Sequence, residues 1–353
     1  MQRRHLRFAT PLLAFLFHFG CTGPAPVSET KADETKAPAA AGKLDKQDAS
    51  FDNIVAPDAR IEKIATGFQF TEGPLALPDG SLLFSDVPGN VIYKLPAGSG
   101  ARQASVWLAK AGSDEEPGGG FIGSNGLSLD KAGNVVIAMH GRGRVVSQDA
   151  SGKQTVLADK YQGKRLNSPN DVAWRKNGDL YFTDPPYGFA KQDDDPKKEL
   201  KFNGIYRLRA NGKLDLLYKD MTRPNGIAFT PDEKFLYVAN SDPAKKIWNK
   251  FPVKEDGTLG APTVLADVTS ETADGLPDGL KVDKAGNLFA TGPGGVWVFS
   301  PEGKLLGKIQ PDEVPANVGF GEDGKTLYMT ARTSVYQVRL NSAGTLPGDF
   351  WKQ

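Results

Sequence analysis

The sequence predicts an all-β fold, and within that class a six-bladed β-propeller. Three observations carry the prediction: a hairpin segment that recurs six times, a spacing between copies that matches one four-stranded blade, and a composition suited to short strands and tight turns. Forty glycines and twenty-five prolines, with 9% aromatic residues, favour many turns over long helices. The 43 Lys and Arg residues against 42 Asp and Glu leave a net charge of +1, which removes the electrostatic footprint of a nucleic-acid or anionic-membrane binder. A small-molecule partner and a monomeric chain are the expectation.

Residues 1–21 stand apart from the rest. The basic segment "MQRRHLR" is followed by the apolar run "FATPLLAFLFHFG" and then Cys21. That run is shorter than the roughly 20 apolar residues a membrane span needs, and it fits the core of an export signal. Cys21 resembles the lipid-modified cysteine of a bacterial lipoprotein, although His18 and Phe19 stand where such signals have small residues. The expected location is the periplasm or cell envelope, anchored through Cys21, with plain secretion or an uncleaved anchor as alternatives. As the only cysteine, Cys21 leaves the fold without an internal disulfide. Residues 22–50 are rich in Ala, Pro, Lys and acidic residues, so they read as a flexible tether. The propeller is expected over 51–353.

The six copies are "FTEGPLALPDGSLLFSD", "GSNGLSLDKAGNVVIAM", "SPNDVAWRKNGDLYFTD", "RPNGIAFTPDEKFLYVAN", "LPDGLKVDKAGNLFATG" and "PANVGFGEDGKTLYMTA". Each places a polar residue, usually followed by glycine, ahead of an alternating strand, a tight turn and a second strand. Third strands are read in "NVIYKLP", "RVVSQD", "NGIYRLR", "GVWVFS" and "SVYQVRL", and fourth strands in "ASVWLA", "KLDLLYK" and "APTVLAD". The segment "RIEKIATGF" at 60–68 is expected to complete the last blade and close the ring.

The equivalent polar residues are Glu72, Asn125, Asn170, Asn225, Asp278 and Asn317, separated by 53, 45, 55, 53 and 39 positions. One Asn-Gly or Asp-Gly pair is ordinary turn chemistry. Six in phase would converge on the central channel of a propeller, offering carboxylate and amide oxygens without a thiolate. The body after Cys21 holds one histidine, His140, which argues against a zinc site built from several His or Cys ligands. Hard oxygen donors with two negative charges suit Ca²⁺, or Mg²⁺ or Mn²⁺ as alternatives. Ca²⁺ takes about six to eight oxygens, so four protein ligands would leave room for water or substrate.

The body resembles the gluconolactonase/regucalcin-like (SGL) family of six-bladed propellers, and its bacterial gluconolactonase branch in particular. The resemblance rests on "TEGP" at 71–74, "NSPNDVAW" at 167–174, "YFTDPPYG" at 181–188, "PNGIAFTPDEKFLYVANSD" at 224–242 and "PDGLKVDKAGNLFATGPGGVWVF" at 277–299, among others. It implies one divalent metal at the channel mouth, Ca²⁺ first and Mg²⁺, Mn²⁺ or Zn²⁺ as alternatives, bound by Glu72, Asn170, Asn225 and Asp278. It also implies an acid/base role for Asp278. Asn317 and Asn125 are placed around the metal or its water. Asn125, His140, Asp184 and Tyr187 are the expected substrate contacts, the last two on the proline-stiffened "TDPPYG" loop. Where that branch has a glutamate and an asparagine near its histidine, this sequence has Met139 and Arg142.

Two acidic loops lack a site signature. "KQDDDPKKE" at 191–199 has neither the glycine nor the ligand spacing of an EF-hand, and "DEEPGGGF" at 114–121 reads as a rim loop. A Ser-His-Asp hydrolase lacks its G-x-S-x-G nucleophile segment. The expected chemistry is metal-dependent opening of a sugar lactone, with the carbonyl polarised by the ion and water directed by Asp278. Ester or phosphotriester hydrolysis on the same site, or a ligand-binding surface propeller without chemistry, are the alternatives.

Overall fold

The computed structural model describes residues 40–115, 120–348 and 350–352. Its backbone is organised as six antiparallel sheets that follow one another along the chain, plus a two-stranded excursion at Lys160–Tyr161 and Lys164–Arg165. Blade one is built from Thr71–Ala76, Leu82–Asp86, Val91–Leu95 and Ser105–Ala109. Blade two uses Ser124–Leu129, Val135–Met139, Arg144–Gln148 and Gln154–Ala158. Blade three uses Val172–Trp174, Leu180–Asp184, Gly204–Leu208 and Leu214–Tyr218. Blade four uses Pro224–Phe229, Phe235–Asp242, Lys245–Pro252 and Thr263–Asp267. The six-bladed propeller is therefore present, and each repeated hairpin supplies the two inner strands of one blade.

The last two blades are completed from the other end of the chain. Glu62–Thr66 pairs with Ser334–Arg339 as the outer strand of blade six, as the "RIEKIATGF" segment predicts. Blade five gains a fifth strand, Gly42–Lys46, paired antiparallel with Leu305–Pro311. This corrects the tether boundary: residues 42–50, assigned to a linker, belong to the sheet and to the short 3-10 helix Ala49–Asn53. The reason is Phe51, whose buried ring packs with Ile54, Val55, Val318 and Phe320 between blades five and six. A polar strand can be held at an edge by backbone pairing and one aromatic anchor, which composition does not reveal. The export segment, Cys21 and tether residues 22–39 lie outside the described residues.

Among the described residues the core divides into six apolar clusters, one at each junction between neighbouring blades. Blades thus pack face to face, and the alternation of each strand buries both of its faces. Two contacts repeated across these junctions set the geometry of the mouth. First, a hydroxyl near the end of the second strand donates to a backbone carbonyl of the next blade's innermost segment: Ser85 to Asn125 O at 2.8 Å, Thr183 to Asn225 O at 2.7 Å and Thr291 to Ala316 O at 2.9 Å. Second, the glycine that follows four of the six polar residues lies against the next blade. A Cβ at Gly73 would sit 2.1 Å from Asn125 O, and one at Gly226 would sit 2.2 Å from Asp278 O. The glycines are spacing devices between blades rather than turn residues.

Candidate active site at the channel mouth

In four blades the pairing register of the innermost strand shifts around the polar residue, between Glu72 and Leu75, Ser124 and Leu127, Pro224 and Ile227, and Pro315 and Asn317. Such an irregularity re-aims a side chain. Glu72, Asn125, Asn170 and Asn225 are all buried, and with Asp278 they line one cleft of about 380 Å³. Asn125 Nδ2 donates to Asn170 Oδ1 at 3.0 Å, Asn170 Nδ2 to Asn225 Oδ1 at 2.6 Å, and Asn225 Nδ2 to Ser241 Oγ at 2.9 Å. On the other side Asn317 Nδ2 donates to Glu72 Oε2 at 2.9 Å, which also accepts from Gly73 N. Asn317 thus braces Glu72 from behind.

The carboxylates carry the electrostatic stress. Burial pushes the Glu72 carboxyl up to about 7, with Asp171 raising it further while Asn317, Gly73 N and Lys281 oppose. Asp278 is held well above the ordinary carboxylate range by burial, then by the charges of Glu72 and Asp171. Its Oδ1 is buried without a hydrogen-bond partner, as is Asn125 Oδ1. Orphaned buried oxygens beside mutually repelling carboxylates are the surroundings in which a divalent cation is stabilised. Among the described residues no three His, Cys, Asp or Glu side chains gather to hold a metal, at the mouth or away from it. The donor set at the mouth therefore stands on amide as well as carboxylate oxygen, and it fits the ligands Glu72, Asn170, Asn225 and Asp278.

His140 is fully buried beside this set. Its Nδ1 is 3.0 Å from Phe121 O and its Nε2 is 3.0 Å from Asn170 Oδ1. Burial lowers its pKa to about 4, so the ring is neutral near pH 7 and carries one N–H. Both ring nitrogens face acceptors, Phe121 O and Asn170 Oδ1, the latter also accepting from Asn125 Nδ2, and the single N–H serves one of them. Tyr187 stands across the cleft, its ring centroid 6.2 Å from that of His140 and its hydroxyl 3.5 Å from Asn225 Nδ2. Burial first, and the Asp278 charge second, raise the phenol well above its usual range, so it stays protonated.

Asp184 is a correction. It was expected in the substrate pocket, but it is buried outside the cleft, with its carboxylate accepting from Asn167 N at 2.8 Å and Ser168 N at 2.7 Å. Asp86 does the same in blade one, accepting from Gln69 N and Phe70 N at 3.0 Å each. The aspartate of "FSD" and "FTD" fastens the segment entering the innermost strand, so Asp184 holds the ring in place rather than facing substrate. Of the loop 114–121, residues 116–119 lie outside the described residues, while Phe121 lines the cleft. The run 191–199 is not wholly solvated: Lys198 is buried, and Gln192 reaches the cleft.

Sequence reading missed the rim. Phe70, Arg223 and Leu276 line the cleft, each two positions before a ring residue. All three stand at the same offset from their ring residue, so the phase of the ring itself carried that signal. Arg223 is held at the edge by Asp193 and by Gln192 Oε1, the latter at 3.2 Å.

Fold and site together define a β-propeller with a buried oxygen-donor site at one end of its channel. The profile of the SMP-30/Gluconolactonase/LRE-like region family matches residues 70–333, and the chain belongs to that family. It is 40% identical to a gluconolactonase of Zymomonas mobilis subsp. mobilis over 315 residues, 86% of this chain and 87% of the relative. Among solved structures it is similar to XC5397, a gluconolactonase of Xanthomonas campestris, with TM-score 0.73 and 29% identity over 86% of this chain and 98% of the other. A calcium-binding regucalcin of Agrobacterium tumefaciens str. C58 shares the fold at TM-score 0.61 and 19% identity, over 81% of this chain and 97% of the other.

Proposed function

We propose that this chain is a divalent-metal-dependent lactonase that opens a sugar lactone of the gluconolactone type. It is a hydrolase of carboxylic ester bonds. The observation that carries the mechanism is the buried, unpartnered Oδ1 of Asp278 facing the same cleft as Glu72. Glu72, Asn170, Asn225 and Asp278 would hold a divalent cation, Ca²⁺ first, and that ion would supply electrostatic stabilisation of negative charge developing on the lactone carbonyl oxygen.

The protein's own groups do the rest. Asp278 holds a water against the carbonyl carbon, takes its proton as the new C–O bond forms, and returns that proton to the ring oxygen as the acyl C–O bond breaks. The product is the open hydroxy acid. His140 fixes the Asn170 amide, Asn317 fixes Glu72, and the protonated Tyr187 is a donor to a substrate hydroxyl. Phe70, Phe121 and Leu276 give the cleft an apolar side, and Arg223 with Gln192 a polar one, a division that suits the two faces of a sugar ring.

Hydrolysis of glucono-δ-lactone, followed by acid release with chelator, after Ca²⁺ return, and in Asp278→Asn, tests the reading. Turnover indifferent to both chelator and substitution sinks the mechanism. Stoichiometric metal without turnover on any lactone or ester would instead make the chain a binding propeller.

A further inference from the structure

Below the mouth the channel carries one fixed ion pair. Asp171 stands where blades one, two, four and five have glycine after the ring residue. It is 2% exposed. Its Oδ1 accepts from Val172 N at 2.9 Å, and its Oδ2 lies 3.4 Å from Ile227 N and 3.5 Å from the Nζ of Lys281. Lys281 comes from the innermost strand of blade five, three residues after Asp278. Its Nζ also donates to Leu280 O at 3.0 Å.

These two residues are not isolated from the mouth. Asp171 directly follows Asn170, its Oδ2 meets the N–H of Ile227 two residues after Asn225, and Lys281 follows Asp278 by three, so the pair sits against three of the ring positions; in keeping with this, the Asp171 charge raises the carboxyls of Glu72 and Asp278 while Lys281 lowers that of Glu72. The channel therefore holds three interacting carboxylates, Glu72, Asp171 and Asp278, and one ammonium. Buried charges are tolerated when their sum is balanced nearby. One dication with Lys281 balances the three carboxylates.

We propose that Lys281 is the built-in counter-cation of the channel, neutralising Asp171 so that Glu72 and Asp278 are left for a single dication, and thereby setting how tightly the mouth holds it. This rests on the metal reading above. Lys281 acts through Asp171 and through space, so it is a positioning residue rather than a catalytic one. Its removal adds one uncompensated negative charge beneath the dication, and removal of the Asp171 charge leaves one uncompensated positive charge there.

The test is the Ca²⁺ dissociation constant of the full chain by calorimetry, with thermal melts in chelator and in Ca²⁺. Lys281→Met is expected to bind Ca²⁺ about tenfold more tightly, and Asp171→Asn about tenfold more weakly, as one charge acting at channel distances demands. The double variant Asp171→Asn/Lys281→Met should return close to the wild-type constant, and Lys281→Arg should keep it. In chelator Lys281→Met should melt lower than the wild type and gain more from Ca²⁺. A wild type that takes up no dication removes the metal reading and this proposal with it. A wild type that binds, beside a folded Lys281→Met that binds equally or more weakly, removes this proposal alone. If both Lys281→Met and Lys281→Gln fail to fold even in saturating Ca²⁺, Lys281 is a structural strut and the proposal is overturned.

Discussion

The two ends of the channel are built from the same innermost strands and do opposite things. At the mouth, Glu72, Asn170, Asn225 and Asp278 present oxygens to a cleft, two of them carboxylates driven toward protonation. At the far end, Leu75, Leu127, Ile227 and Phe320, only two or three positions further along, line a largely apolar cavity of about 170 Å³ whose border also includes Lys176, Glu233 and Lys281. Leu346, Pro347 and Phe350 lie across it from the C-terminal segment. The Trp351 indole donates to Leu129 O at 3.2 Å and meets Trp174 edge-on at 5.1 Å. One end concentrates electrostatic stress, and the other is built mainly on packing. A short strand can serve both because its register is shifted in the middle, so that the polar residue and the apolar one are aimed separately.

The comparison breaks most sharply at Asp278. Asp278→Asn should lower lactone turnover about a thousandfold while leaving the melting temperature near or above the wild-type value, since it removes a charge the fold holds at a cost. Equal loss of stability and activity would mean the mouth is structural after all. Glu72→Gln should weaken Ca²⁺ binding about a hundredfold, with turnover recovered in part at high Ca²⁺, measured by calorimetry and initial rates.

The pH dependence sharpens the electrostatic half. Glu72 and Asp184, both raised to about 7, and Asp278, raised in the same sense, bind protons more tightly folded than unfolded. Their contribution to stability is whole below the ordinary carboxylate range and is lost as pH rises through about 7. In chelator the melting temperature should therefore fall between about pH 5 and about pH 8, and saturating Ca²⁺ should remove the part due to Glu72 and Asp278. A flat or rising profile in chelator would contradict this account of the mouth.

The smallest effect belongs to the far end. Trp351→Ala should destabilise by about 1–2 kcal/mol through lost packing and one hydrogen bond, with kcat/KM within about twofold of wild type. Collapse of turnover would show the two ends to be coupled through the channel.

Much of the site was legible because repetition made it so. Asn170 alone is a turn residue by propensity, and only its phase with five counterparts marks it as part of a ring. The hydroxyl of "FSD", "FTD" and "ATG" was equally periodic, yet its role across blades needs the distance from Thr183 to Asn225 O. Asp184 misled for the same reason, since a carboxylate beside a stiff loop reads as a pocket residue until its two backbone donors are seen. Blade four's third strand, Lys245–Pro252, escaped notice because "KKIWNKFP" breaks the alternation that marks the other strands, with two lysines first and Ile247 beside Trp248.

By itself the sequence determined the number of blades, the strand at 62–66 that closes the ring and the residues that converge at its mouth, because those follow from period and alternation along the chain. Tertiary structure alone decided that the glycines after the ring residues are spacers against the next blade, that residues 42–46 join blade five, and that Asp171 answers to Lys281. Each of these joins segments far apart in sequence, and their energies depend on distances between atoms that no local pattern encodes.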